Sequence, residues 1–160
     1  MSRAFVKEDA DTPEPPLPER PISAAPNRVT PRGARLIVDA IAALKEALSR
    51  APDQTTAAAY RRDLRYWVSR HGSMQVMGSC ADPAAVGFGA RVTIRRGTIA
   101  SDVTIVGEDE ADPATGLIAW TAPLARALEG AEVGDVVELE AGGRREPIIV
   151  VAIAGYAIKS

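Results

Sequence analysis

Cysteine is nearly absent. The single Cys80 excludes an internal disulfide and any cysteine-built metal cluster, and it reads as a small inert residue. Histidine is as scarce. His71 alone would have to serve any Ser-His-Asp or Cys-His site, and its place beside Gly72 reads as a helix end instead. Aromatic residues are 4% of a chain that is 46% hydrophobic, so a core is expected, filled mainly by small aliphatic side chains. No run approaches the roughly 18 apolar residues of a membrane-spanning helix. The N-terminus lacks the basic-then-apolar pattern of a secretion signal, so a cytoplasmic protein is the simplest expectation. Walker, dinucleotide and zinc spacings are missing too. Residue patterns alone give no enzyme and no catalytic residue.

What is present is unevenly distributed. The 160 residues suffice for one ordinary domain and an appendage. The net charge of -2 divides into a hairpin-like segment, residues 32–74, with eight basic and four acidic residues, and a segment 75–160 with seven basic and twelve acidic. Such a bipolar chain can orient on a charged partner, and two independently solvated surfaces explain the imbalance equally well.

Residues 1–30 form a proline-rich segment, with Pro13, Pro15, Pro16, Pro18, Pro21 and Pro26, and Phe5-Val6 as its notable apolar pair. They are expected to be an extended, disordered tail. A first helix is predicted from Thr30-Pro31, where threonine caps and proline suits the first turn. Ile37, Ile41, Leu44 and Leu48 give it a seam at spacings of four, three and four. Ala51-Pro52-Asp53 breaks it, and Asp53 or Thr55 caps a second helix running to about Arg70, with Tyr60, Leu64, Trp67 and Val68 on one face. Residues 31–74 are therefore expected to be an antiparallel helical hairpin. Arg61, Arg62, Arg65 and Arg70 are placed on its outer side, as a contact for nucleic acid or an acidic protein, or as a solvated face.

From residue 75 to 160 the pattern turns to strands: Ala90–Ile94, Asp102–Val106, Gly116–Trp120, Val136–Glu140 and Pro147–Tyr156, with Pro147 at an edge or entry position. Residues 108–112, Glu-Asp-Glu-Ala-Asp, read as a solvated acidic loop, with divalent-cation binding as the less favoured reading. The stretch Thr121–Leu139 is the pivot. Pro123 opens a short helix, Leu124 and Leu128 share one face, Gly130 stops it, and Gly134-Asp135 turns the chain into a strand. This helix is either a core plug or a docking edge. The fold class is α+β: a helical hairpin, then a small bent sheet, mostly antiparallel, with one short helix.

The blocks VGFGARVTI (86–94), TIVGEDEAD (104–112), GLIAWTAPLARALEGAEVGDVVEL (116–139) and IVVAIAGY (149–156) resemble the GreA/GreB family of bacterial transcript cleavage factors, in the family's order and near its spacing. TPRGARLI (30–37) resembles the start of that family's first coiled-coil helix. The resemblance implies a helical hairpin followed by a domain shaped like the FK506-binding proteins. It also implies a partner, bacterial RNA polymerase, engaged at the rim of its secondary channel by the C-terminal domain while the hairpin enters. On this reading Ala122, Pro123, Leu124 and Arg126, with Asp109 of the acidic loop, are the docking residues, and Ala122 stands where the family has serine. Arg61, Arg62 and Arg65 would face the channel wall.

At the hairpin tip the family carries Asp-x-x-Glu-Asn-Ala-Glu/Asp-Tyr, whose acids help hold a catalytic magnesium ion. Here the stretch is DQTTAAAY, residues 53–60. Asp53 and Tyr60 match, Thr56 replaces the second acid, and a neutral hydroxyl is a poor magnesium ligand. The arms are shorter than the family's by roughly eleven residues each, retracting the tip by about 16 Å. The expectation is a short-hairpin variant, akin to Rnk, that modulates elongation with weak or no cleavage stimulation. It would have no metal or cofactor of its own, the polymerase's magnesium being relevant only if Asp53 reaches it. A monomer with no membrane partner and at most a weak nucleic-acid contact is expected. The alternatives are a fully active cleavage factor, a prolyl isomerase using Phe88, Trp120 and Tyr156, and a nonspecific nucleic-acid-binding module.

Overall fold

The computed structural model describes residues 16–78 and 83–156. Phe5, Val6 and Cys80 lie outside them. Strand β1 (Arg28–Val29) leads into helix α1 (Pro31–Ser49), a short connection leads to helix α2 (Gln54–Ser73), and strand β2 (Gln75–Val76) pairs in parallel with β1. The helix starts follow local chemistry. Thr30 Oγ1 accepts from the Gly33 N–H at 3.1 Å, with Pro31 in the first turn. Asp53 Oδ1 accepts from the Thr56 N–H at 2.7 Å. Helix α2 continues past His71-Gly72 to Ser73, so the glycine does not end it.

The two helices form the expected antiparallel pair, but the pairing is thin. Ile37 of α1 is fully buried, whereas in α2 only Ala57 and Arg70 are. Val68, assigned to the seam by its spacing, is 51% exposed. It opens onto two shallow depressions on the hairpin surface instead. Two helices enclose only a narrow stripe, and a residue at that stripe's margin has no third element to cover it.

Strands β3 (Ala90–Arg96), β4 (Ile99–Val106), β5 (Leu117–Ala119), β6 (Val136–Ala141) and β7 (Arg144–Gly155) form one sheet in the order β5-β4-β3-β7-β6. Helix α3 (Pro123–Leu128) lies against its inner face. The core joins Val92, Ile94, Val103, Ile105, Ile118, Leu139, Ile148 and Val150 of the strands to Ala125 and Leu128 of α3. A bulge between Thr93 and Ile94 in the β3–β7 ladder helps bend the sheet. The β6–β7 hairpin closes through Gly142 and Gly143, both at positive φ, as its tight turn requires.

The sheet is mostly antiparallel, as expected, with β4–β5 as its one parallel pair among the described residues. Residues 107–116 carry the chain back past the end of β4 through two 3-10 turns. The position of one proline corrects the sequence reading. Pro147 lies inside β7, opposite Glu138, not at the strand's start. The Val150 N–H points to Asp135, on the β6 side, so position 147 points the other way, where β3 has already ended. A missing N–H costs nothing there.

Candidate docking site and hairpin clamp

The acidic run 108–110 is neither solvated nor gathered round a vacant cation site. All three carboxylates are turned to the hairpin base, Glu108 and Asp109 to Arg70 and Glu110 to Thr30. Glu110, 4% exposed, accepts from the Thr30 N–H at 3.0 Å, the Thr30 hydroxyl at 2.7 Å and the Gly107 N–H at 3.0 Å, with Arg32 at 3.7 Å. Asp109 accepts from the Tyr66 hydroxyl and, at 2.5 Å, from Arg70 Nε. Glu108 lies 3.6 Å from Arg70 and accepts from the Thr121 hydroxyl at 3.0 Å. Tyr66 and Arg70 are one helical turn apart, so one aspartate takes both. Burial first, and then the bond to Asp109, push the Tyr66 phenol up to about 12.

Close backbone approach makes the clamp possible. A Cβ at Gly33 would lie 2.7 Å from Glu110 Oε1, and one at Gly107 would lie 2.5 Å from the Arg28 carbonyl oxygen. The N-terminal segment adds its own fastenings. Asn27 Nδ2 donates to the Arg70 carbonyl at 2.7 Å, and the Arg28 guanidinium sits 4.5 Å from the centre of the Trp120 ring.

The predicted site residues separate into three groups. Ala122, Pro123, Leu124 and Arg126 share the edge of α3. Pro123 and Arg126 are exposed, Leu124 packs partly onto the core, and Leu128 is wholly buried. Ala122 occupies the cap position with no side-chain bond to offer. Asp109 is not on this edge. It faces the hairpin with its side chain 8% exposed, held by Arg70, so its expected availability for docking is corrected. The link between the edge and the clamp is Thr121, whose hydroxyl donates to Glu108, while Ala122 takes the cap position.

Asp53 and Thr56 stand at the far tip, about 25 Å along α2 from Arg70. Asp53 is the helix cap, and the Thr56 backbone bond holds its carboxyl below the usual range. Of the arginine face, Arg61 is exposed without a partner among the described residues, Arg62 pairs with Asp63 at 2.8 Å, and Arg65 pairs with Glu19. Arg70, expected on the same face, is 2% exposed and belongs to the clamp. Residues 16–30, expected to continue a disordered tail, run beside α2 and end in β1.

Phe88 and Trp120 do meet, around a cavity of about 20 Å³, room for one water molecule. Tyr156 lines a different, polar groove with Arg91 and Asp102. These aromatics therefore form no slot for a prolyl ring.

The fold and this clamp define a helical hairpin fastened to a bent mixed sheet by an acidic loop. The sequence model of the family described as "Transcription elongation factor, GreA/GreB, C-term" matches residues 81–154. Transcription elongation factor GreA of Alkalilimnicola ehrlichii is 49% identical over 78 residues, covering 43% of this chain and 49% of that protein. GreA of Hyphomonas neptunium is 49% identical over 70 residues, covering 41% and 45%. Residues 81–154 are therefore similar to the C-terminal part of GreA/GreB factors. The match spans about half the length of these curated relatives. Among solved structures, the GreA factor homolog Gfh1 of Thermus thermophilus superposes with a TM-score of 0.40 at 18% identity over 82% of this chain and all of that one. A GreA/GreB factor from Nitrosomonas europaea gives 0.40 at 19% identity over 81% and 98%. Among the described residues, no helix is long and apolar enough to cross a membrane.

Proposed function

We propose that this chain is a GreA/GreB-type transcription elongation factor that docks on bacterial RNA polymerase in the cytoplasm, as a monomer, through the α3 edge. Its hairpin would sit in the secondary channel and modulate elongation, with little or no stimulation of transcript cleavage. The protein would not be an enzyme in itself. At most it would be an accessory to a reaction carried out by the polymerase and its own magnesium ion.

The observation that carries this reading is the state of the tip. Asp53 is the one carboxylate between Arg50 and Tyr60, and it already caps α2 through the Thr56 N–H. A metal site assembled with a second protein gains most from two unencumbered carboxylates. This tip offers one, already hydrogen-bonded. The docking half rests on the family match and on Pro123 and Arg126 being exposed beside a buried Leu128.

Co-purification with core RNA polymerase tests the docking. The full chain is expected to be retained, and Arg126→Glu, which reverses an exposed charge, is expected to lose retention while melting as the parent does. Equal retention of the variant would move the docking surface elsewhere, and no retention of the parent would end the proposal.

A further inference from the structure

Residues 16–26 belong to no helix or strand, yet they lie against α2. Glu19 faces Arg65 through both carboxylate oxygens, 3.1 and 3.2 Å from Nε, with a further bond from Nη2. Arg20 lays its guanidinium over Tyr66, 3.8 Å from the ring centre, and 5.6 Å from that of Trp67. Tyr66 and Trp67 meet edge to face at 5.2 Å. Asp109 holds the Tyr66 hydroxyl, which fixes the ring's attitude and leaves a face for stacking.

Beneath this segment, then, is a strip that sets the Arg65 guanidinium beside two aromatic rings. That is the chemistry of a surface for single-stranded nucleic acid, where arginine takes phosphate and a ring takes a base. The segment's two contacts imitate such a strand. The Glu19 carboxylate fills the Arg65 fork as phosphate oxygens would. The flat Arg20 guanidinium stacks on Tyr66 where a base would.

The segment is held unevenly. Asn27, Val29 and Thr30 are 4%, 1% and 2% exposed, a firm anchor. The Glu19 and Arg65 side chains are 61% and 57% exposed, and pairs so open to water hold weakly and are screened by salt. The Glu19–Arg20 stretch can lift while the stretch at Asn27–Thr30 stays.

We propose that residues 16–25 are an autoinhibitory strap over a strip for single-stranded nucleic acid formed by Arg65, Tyr66 and Trp67, and that strap and strand compete for it. This stands independently of polymerase docking. The test is fluorescence anisotropy of a labelled oligouridylate with the full-length chain at low salt. The double variant Glu19→Ala/Arg20→Ala is expected to bind about three- to fivefold more tightly than the parent. Adding Arg65→Ala is expected to abolish that gain. Three outcomes overturn the proposal: equal affinity of parent and double variant, a gain that survives Arg65→Ala, or binding by neither.

Discussion

Glu110 satisfies three donors from two separate segments in a place water does not reach. Glu110→Ala would strand them, and a loss of about 3 kcal/mol in urea unfolding is expected. Gly33 supplies a sharper check, because ordinary helix propensity predicts the opposite sign. Replacing a helical glycine by alanine usually gains about 1 kcal/mol. Here the added carbon would lie 2.7 Å from a carboxylate oxygen locked in place, so Gly33→Ala is expected to destabilise, by about 1–3 kcal/mol. A gain in stability would show that Glu110 is free to move. Tyr66 gives a pH signature. Its folded pKa of about 12 lies above the ordinary value of 10.0, so the folded state holds the proton longer. That contribution is complete below about pH 10 and fades as pH rises through about 12. The stability difference between parent and Tyr66→Phe should therefore be flat to about pH 10 and shrink above it. A difference unchanged up to pH 12 would contradict the Asp109 bond.

At the scale of elements, the loop 108–110 fastens the hairpin to the sheet. Removing Asp109 would leave Arg70 almost wholly buried with only Glu108 at 3.6 Å, so Asp109→Ala should cost about 3–5 kcal/mol by chemical denaturation. Unchanged stability would return Asp109 to the docking surface. None of this was legible locally. Thr30 and Glu110 are 80 positions apart, Tyr66 and Asp109 43, so the run EDEAD read alone resembles any solvated acidic loop. Elements with local signals were legible. Pro31 and Asp53 mark the two helix starts, and alternation marks the strands. The parallel pairing of β4 and β5 was not, because nothing in residues 107–116 announces which way the chain returns. Val68 misled for a related reason: spacing assigns a face, while burial depends on what covers it.

Taken whole, the molecule joins a C-terminal part that the family model matches to a hairpin that it does not. The match covers residues 81–154, including the α3 edge, whereas the tip carries Asp53 as its one carboxylate, followed by Thr55, Thr56 and three alanines. The proposed docking role of Pro123 and Arg126 rests on that resemblance, since two residues on an exposed helix edge carry no chemistry of their own. In the proposed function the protein docks on polymerase while its tip contributes nothing to catalysis. The decisive measurement is release of 3′ RNA fragments from backtracked elongation complexes of bacterial RNA polymerase at saturating protein. The predicted result is a release rate no higher than that of the polymerase alone, with the protein bound to the complex. Strong stimulation that disappears on Asp53→Ala would contradict it.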